Sequence, residues 1–256
     1  MSDEKAMETN EYLSCALSIG EGLLISGAEI NRVEDTIKRI CTAFGAQRVD
    51  VFSITSSIVV TISSPEWGTL TQTRRVDGMQ YNMHRLEMLN QLSRKICSAN
   101  PLPSSEEIRA DLEKIDQVKG YPFWQITLLY ALVAAAFSLF FGGSLRDAIS
   151  SAIIGIALKF IQTGLGNFRI NPFVNTFICS ILGGLFAVLL VKCHLGQSFN
   201  MITIGDIMLL IPGIALTNGI RNMFGGDMIS GLLRFIEALI LAAIIAFAFV
   251  LTSVLV

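Results

Sequence analysis

The stretch FWQITLLYALVAAAFSLFF at residues 123–141 decides the reading of this chain. It contains no Asp, Glu, Lys or Arg. A membrane-spanning helix needs about 20 predominantly apolar residues, and this run supplies them without interruption. Toward the carboxyl terminus, further candidate spans follow at 148–165, 172–191, 202–220 and 233–254. The second carries Lys159, the fourth carries Asp206 and is broken at Pro212-Gly213, and the fifth has Arg234 and Glu237 near its start. A buried soluble core accounts for one such run. It does not account for five within the last 135 residues.

Composition agrees. Apolar residues make up 52% of the chain and charged residues 16%, against about 25% charged in an ordinary soluble domain. Mean hydropathy is +0.58. The charge is unevenly spread: residues 1–121 hold 13 Lys/Arg and 17 Asp/Glu, whereas residues 122–256 hold six and four. The sequence therefore predicts an α-helical membrane protein with five transmembrane helices in residues 122–256, preceded by a cytoplasmic α+β domain in residues 1–121. A net charge of −2 leaves no basic footprint for nucleic acid.

In the amino-terminal part, Tyr12, Ala16, Ile19 and Leu23 recur at helical spacing over 8–26, and Gly27 follows as a stop. Val33, Ile37, Ile40, Cys41 and Phe44 form the apolar stripe of a second helix over 29–44. Alternation and β-branched runs predict strands near 49–54, 58–62 and 69–74, with a turn at Ser64-Pro65-Glu66. A helix is expected over 83–99. Beyond the Asn100-Pro-Leu-Pro stop, Ser104 or Ser105 caps a short charged helix with Glu106 and Glu107 in its first turn. The opening Met1-Ser-Asp-Glu-Lys lacks an apolar core, so no cleavable signal peptide is expected. Five scattered cysteines, Cys15, Cys41, Cys97, Cys179 and Cys193, with no C-x-x-C, predict neither a disulfide framework nor a metal site. They suit a reducing cytoplasm.

Glu29, Arg32, Glu34 and Asp35, with His84, form the most obvious candidate catalytic constellation. The alternative is a solvated helix face with Glu34–Lys38 and Asp35–Arg39 pairs. No phosphate-binding loop, G-x-S-x-G or H-E-x-x-H accompanies them, and nothing implies a cofactor. A membrane-anchored enzyme using the cytoplasmic domain is thus the second reading, behind transport.

Lysine and arginine near the span ends orient the chain. With residues 1–121 inside, the loops at 166–171 and 221–232 are also inside and carry Arg169 and Arg221, while Arg146 and Lys192 lie outside. This predicts an amino terminus in the cytoplasm and a carboxyl terminus outside.

The candidate chemistry lies in the last two spans. Pro212 lacks an N–H and clashes with the preceding turn, so Pro212-Gly213 marks either a discontinuous helix or a simple kink. A half-helix starting after Gly213 would aim its N–H groups at an anion. With Thr217, Asn218 and Arg221 it would hold a substrate carboxylate. Asp206, an ionisable group inside a span, would hold a substrate ammonium group or a coupling proton, or else sit at the outer mouth. Asp227, Arg234 and Glu237 flank the fifth span as candidate coupling or gating groups, and the i,i+3 spacing lets Arg234 and Glu237 pair. Lys159, near the inner end of its span, is expected to reach toward the interface. The pairs Gly142-Gly143, Gly183-Gly184 and Gly225-Gly226 offer faces on which a partner helix could pack.

Two stretches carry a family resemblance. One is SGAEINRVEDTI at 26–37, followed by Gly45 and VDVFSITSSIVVTI at 49–62. The other is PGIALTNGIRNMFGGDMISGLLRFIEALILAAIIAFA from Pro212. Together they make the chain similar to the bacterial threonine/serine exporter family, over nearly its whole length. Asn222 follows Arg221 where the family pattern leads one to expect an acidic residue. The chain resembles the amino-terminal half of the longer members. The resemblance implies a secondary exporter of threonine, serine or succinate driven by the proton gradient. It also implies a second, smaller membrane subunit, with a homo-oligomer as the alternative, and a hydrolase-like enzyme in the cytoplasmic domain as the alternative to transport.

Overall fold

The computed structural model of the chain describes residues 2–78, 80–118, 120–168 and 170–255; Arg169 and Val256 therefore lie outside the described residues. The chain divides into two compact units: Met1–Lys119 with Thr217–Phe235, and Gly120–Leu216 with Ile236–Val256.

The first unit is built on helices α1 (Ser2–Ile25) and α2 (Ile30–Ala43) against an antiparallel sheet of β1 (Arg48–Ile54), β2 (Ser57–Ser64) and β3 (Gly68–Arg75), in the order β1-β2-β3. Strand β2 lies in the middle, with Val60 opposite Val51 and Gln72. Its alternation places Ile58, Val60 and Ile62 on the buried face. There they join Leu13, Leu17 and Leu24 of α1 and Val33, Ile37 and Ile40 of α2 in one core. Gly27 ends α1 at φ +98°, a left-handed conformation that costs glycine little.

Two further helices complete the predicted order, α3 (Met83–Ser98) and α4 (Ser105–Asp116). Ser104 is the cap of α4. Its Oγ accepts the Glu107 N–H at 3.2 Å, and Glu107 Oε2 accepts the Ser104 N–H at 3.0 Å. The same unit holds the end of α9 (Gly213–Phe224) and the start of α10 (Met228–Ser253). These two helices approach closely at two glycines. A Cβ on Gly219 would lie 3.0 Å from Phe235 N, and one on Gly231 would lie 2.7 Å from Gly219 O.

The second unit contains α5 (Phe123–Phe140), α6 (Leu145–Asn167), α7 (Pro172–Lys192) and α8 (Phe199–Leu210), with residues 213–216 of α9 and the rest of α10. Helices α5, α6, α7 and α10 are long and apolar enough to cross a membrane. Helices α8 and α9 pass the same test together, as a pair bent by 54°, which gives four or five candidate spans. At 12 residues each, α8 and α9 rise only about 18 Å apiece, too little to cross alone.

Several boundaries differ from the sequence expectation: helix α1 begins at Ser2 rather than 8, and α8 at Phe199 rather than 202. Helix α6 begins at Leu145 rather than 148, because Ser144 and Asp147 form a capping box around its first turn. Helix α10 begins at Met228 rather than 233. A charged side chain at Arg234 does not end a helix, and the Gly231 N–H already donates to Asp227 O at 2.9 Å.

The glycine pair of α7 also has a different use from the one expected. Gly184 packs against Thr252, and Gly183 against Leu158 and Phe249, so the chain itself fills this face. Lys159 places its Nζ 5.3 Å from the ring centroid of Tyr130 and 6.0 Å from that of Phe123, a cation–π arrangement on α5.

Candidate functional site

Two polar clusters stand out, one in each unit. In the apolar unit the cluster forms around α8. Ser198 caps this helix by accepting the Met201 N–H at 3.5 Å. Pro212, lacking a donor, follows its last residues. Ile202, Thr203, Gly205 and Asp206 make up its buried face. Gly205 permits a close approach to α5 and α6: a Cβ there would lie 2.5 Å from Ala134 O and 3.0 Å from Ser151 Oγ. Ser151 Oγ donates to Ile202 O at 3.1 Å. Asp206, one residue further along, is 0% exposed. Neither of its carboxylate oxygens has a hydrogen-bond partner among the described residues, and the same holds for the buried hydroxyls of Ser138 and Ser150. Buried polar groups are ordinarily hydrogen-bonded. A fully buried carboxylate with two unpartnered oxygens departs from that rule.

Asp147, at the start of α6, is a structural anchor of this unit. Its Oδ1 accepts the N–H groups of Gln197 and Ser198 at 2.7 and 2.8 Å, and its Oδ2 accepts from Ser144 N and Oγ at 2.9 and 2.7 Å. The S-x-x-D spacing at 144–147 was the available signal.

The second cluster lies where the α9–α10 turn meets the start of α2. Arg221 Nη1 pairs with Glu29 Oε1 at 2.8 Å. Asn31 Nδ2 donates to Gly225 O at 2.8 Å, and Asn218 Nδ2 to Gly27 O at 3.5 Å. Glu34, on the same helix, accepts the Ser53 N–H at 2.7 Å. Burial raises its carboxyl above the ordinary range; the Ser53 N–H opposes that, and nearby Asp227 adds to it. Burial likewise raises Asp227. Asp227 Oδ2, Asn222 Nδ2, Ser53 Oγ and Ser26 Oγ are buried without a hydrogen-bond partner among the described residues. Asp35 pairs with Arg39 at 2.8 Å on the solvated face of α2, as expected.

The residues predicted to bind substrate are thus divided. Asp206, Pro212 and Gly213 belong to the apolar unit, and Thr217, Asn218 and Arg221 to the other. Arg221 does engage a carboxylate, supplied by Glu29 of the chain itself. Asp227 and the buried Arg234 lie in the first unit, while Glu237 is exposed in the second. The sequence reading missed the Glu29–Arg221 contact, which joins residues 192 apart in the chain.

Helices long and apolar enough for four or five membrane spans define a multi-pass membrane protein. Comparison with known proteins narrows this. The family profile described as "Putative threonine/serine exporter" (ThrE) matches residues 14–256, and the chain belongs to that family. It is 25% identical over 241 residues to the "Probable succinate transporter subunit YjjP" of Klebsiella aerogenes, covering 94% of this chain and 90% of that protein. The Escherichia coli protein of the same name is also 25% identical, with 94% and 91% covered. The "Probable threonine/serine exporter" of Mycobacterium tuberculosis is 23% identical over 93% of this chain, which corresponds to 45% of that longer protein. No solved structure matches.

Proposed function

We propose that the chain is the larger subunit of a secondary exporter that moves a small amino acid or carboxylate out of the bacterial cytoplasm, coupled to the proton gradient. The observation that carries this reading is Asp206, fully buried on the broken α8–α9 pair with both oxygens unpartnered among the described residues. On insertion scales a charged residue at mid-membrane costs about 2.5–3.5 kcal/mol. A bystander would gain by being replaced; a proton carrier needs that carboxyl. The names of the relatives supply the substrate candidates, threonine, serine and succinate.

The contacts within the first unit support five crossings. Helices α5, α6 and α7 cross three times and leave Lys192 on the side opposite residues 1–121. For Arg221 to meet Glu29, the α8–α9 pair has to cross once more. Helix α10 then ends outside the plasma membrane, with residues 1–121 cytoplasmic. The word "subunit" in two relatives' names, and the doubled length of the third, support a smaller membrane subunit as partner, with a second copy of this chain as the alternative.

The test is efflux of threonine, serine and succinate from loaded cells, with and without the small subunit. Asp206→Asn should reach the membrane in wild-type amounts and lose export. Wild-type efflux in that variant would make Asp206 a bystander and remove the basis of this reading.

A further inference from the structure

We propose that the outward face of α10 from Glu237 to Leu251 is the seat of a membrane helix from a different polypeptide, one that brings a basic side chain to the level of Glu237. The inference rests on the subunit reading above and deepens it, because it names the surface on which the subunits meet and sets a second copy of this chain aside.

Three observations carry it. The first is a carboxylate at membrane depth on the outside of the chain. Glu237 is exposed, and its side chain has no hydrogen bond or ion pair among the described residues. Beyond it, α10 runs uncharged from Ala238 to its last residue, Ser253. At 1.5 Å per residue that stretch is about 24 Å long, short of the roughly 30 Å hydrocarbon core of a bilayer. A membrane crossed by α10 therefore takes in the level of Glu237, and tilting the helix only draws it deeper. Ionisable side chains within spans almost always face protein or a water-filled cavity rather than lipid. The face that carries Glu237 is one that another protein covers.

The second is the pattern on that face. Glu237, Ile240, Ile244, Phe247 and Leu251 follow one another at spacings of three and four, the repeat of a coiled-coil seam. Ile240, Phe247 and Leu251 are exposed. The other side of α10, with Ala238, Ile245, Ala248 and Phe249, is buried. There the chain packs on itself, Phe249 against Gly183 and Thr252 against Gly184. One side of α10 is thus in use, and a regular apolar seam with a single charge is left for a helix crossing at about 20°.

The third is charge. Copies of this chain insert with one orientation, so a two-fold contact through the seam would set Glu237 against Glu237. Like charges facing each other in a low dielectric repel. Lys159 and Lys192, the lysines of this unit, are taken up within the chain. Lys159 Nζ lies over the rings of Tyr130 and Phe123, and Lys192 Nζ donates to Leu255 O at 2.9 Å. A different chain with a lysine or arginine in its span supplies the charge this seam lacks.

The experiment coexpresses the full chain with the smaller membrane subunit and purifies both in mild detergent through a tag on the smaller one. p-Benzoylphenylalanine in place of Ile240 or Phe247 should crosslink to the smaller subunit on illumination. In place of Leu239 or Ala246, exposed positions off the seam, it should not. Glu237→Lys should lower recovery of the chain about tenfold or more. Glu237→Gln, which keeps a hydrogen bond and loses the charge, should lower it less. Reversing the membrane lysines and arginines of the smaller subunit to glutamate, one at a time, should restore recovery of Glu237→Lys in one case. Should Glu237→Lys fail to reach the membrane, the crosslinks and the recovery of Glu237→Gln decide.

Asp206→Asn separates this proposal from the exporter reading, since it should abolish efflux and leave the crosslinks in place. Crosslinks from Ile240 and Phe247 to a second copy of this chain, no crosslink to either chain, equal crosslinking from all four positions, or wild-type recovery of both Glu237 variants would each overturn the proposal.

Discussion

Reversing the charges of the Glu29–Arg221 pair tests whether α9 is latched to the amino-terminal helices. The pair is 2.8 Å long, with side-chain exposures of 61% for Arg221 and 30% for Glu29. Water screens it, so its direct contribution is that of a surface ion pair, about 0.2–1 kcal/mol. Two hydrogen bonds accompany it, Asn31 to Gly225 O and Asn218 to Gly27 O, each adding about 0.5–1.5 kcal/mol. The latch as a whole is therefore worth a few kcal/mol, and the ion pair is its adjustable part.

Glu29→Arg replaces attraction by repulsion at the same distance. Two unit charges 4 Å apart in water interact by about 1 kcal/mol, so the swing is about 2 kcal/mol, or roughly 30-fold in the opening equilibrium. Arg221→Glu should do the same. The double reversal restores an oppositely charged pair and should recover most of the loss. Hydrogen exchange reads the opening at the Gly225 and Asp227 amides, which donate to Arg221 O and Asn222 O. Both single reversals should speed exchange there and slow export, and the double variant should return both toward wild type. Additive effects in the double variant, or single reversals with wild-type exchange, would refute the latch.

Three other outcomes are expected. Asp147→Ala orphans the Gln197 and Ser198 N–H groups and should cost about 3 kcal/mol or more, read as a lower melting temperature in detergent; Asp147→Asn should lose less. Glu34 has a folded-state value raised by burial, so its ionisation works against folding once pH rises above its unfolded value of about 4.3. Glu34→Gln should therefore stabilise the protein, with a gain that grows from pH 4 upward, whereas a gain that shrinks with pH would reverse the sign argued here. A reporter active only in the cytoplasm, fused after Val256, should be silent, and activity there would reduce the crossings to an even number.

Local structure was largely legible because its causes are local. The stripe Val33, Ile37, Ile40 and Cys41 is buried on α2 as its spacing required. The β-branched run from Ile58 to Ile62 became the central strand, where Val and Ile pack well. Pro212 separates two helices because a residue without an N–H cannot continue the ladder. Of the two caps the sequence offered for α4, Ser104 is the one used, with Glu107 completing a capping box.

What could not be read were the partners of the polar groups. Glu29 looked like one charge among several on a solvated helix, and Arg221 like an anion ligand at the end of a half-helix. Each reading was sound for its own segment. The pairing of the two depends on the path the chain takes through every helix between them, and periodicity carries no record of that path. The same holds for Ser53 and Asn222. A serine in a strand and an asparagine in a helix are unremarkable until tertiary packing buries both. Asp206 differs because its context is visible within its own segment: an acid in an apolar run is costly wherever the rest of the chain goes. Intramembrane charges can thus be picked out from sequence, whereas a polar cluster assembled from distant segments becomes visible only once the fold leaves its buried atoms without partners.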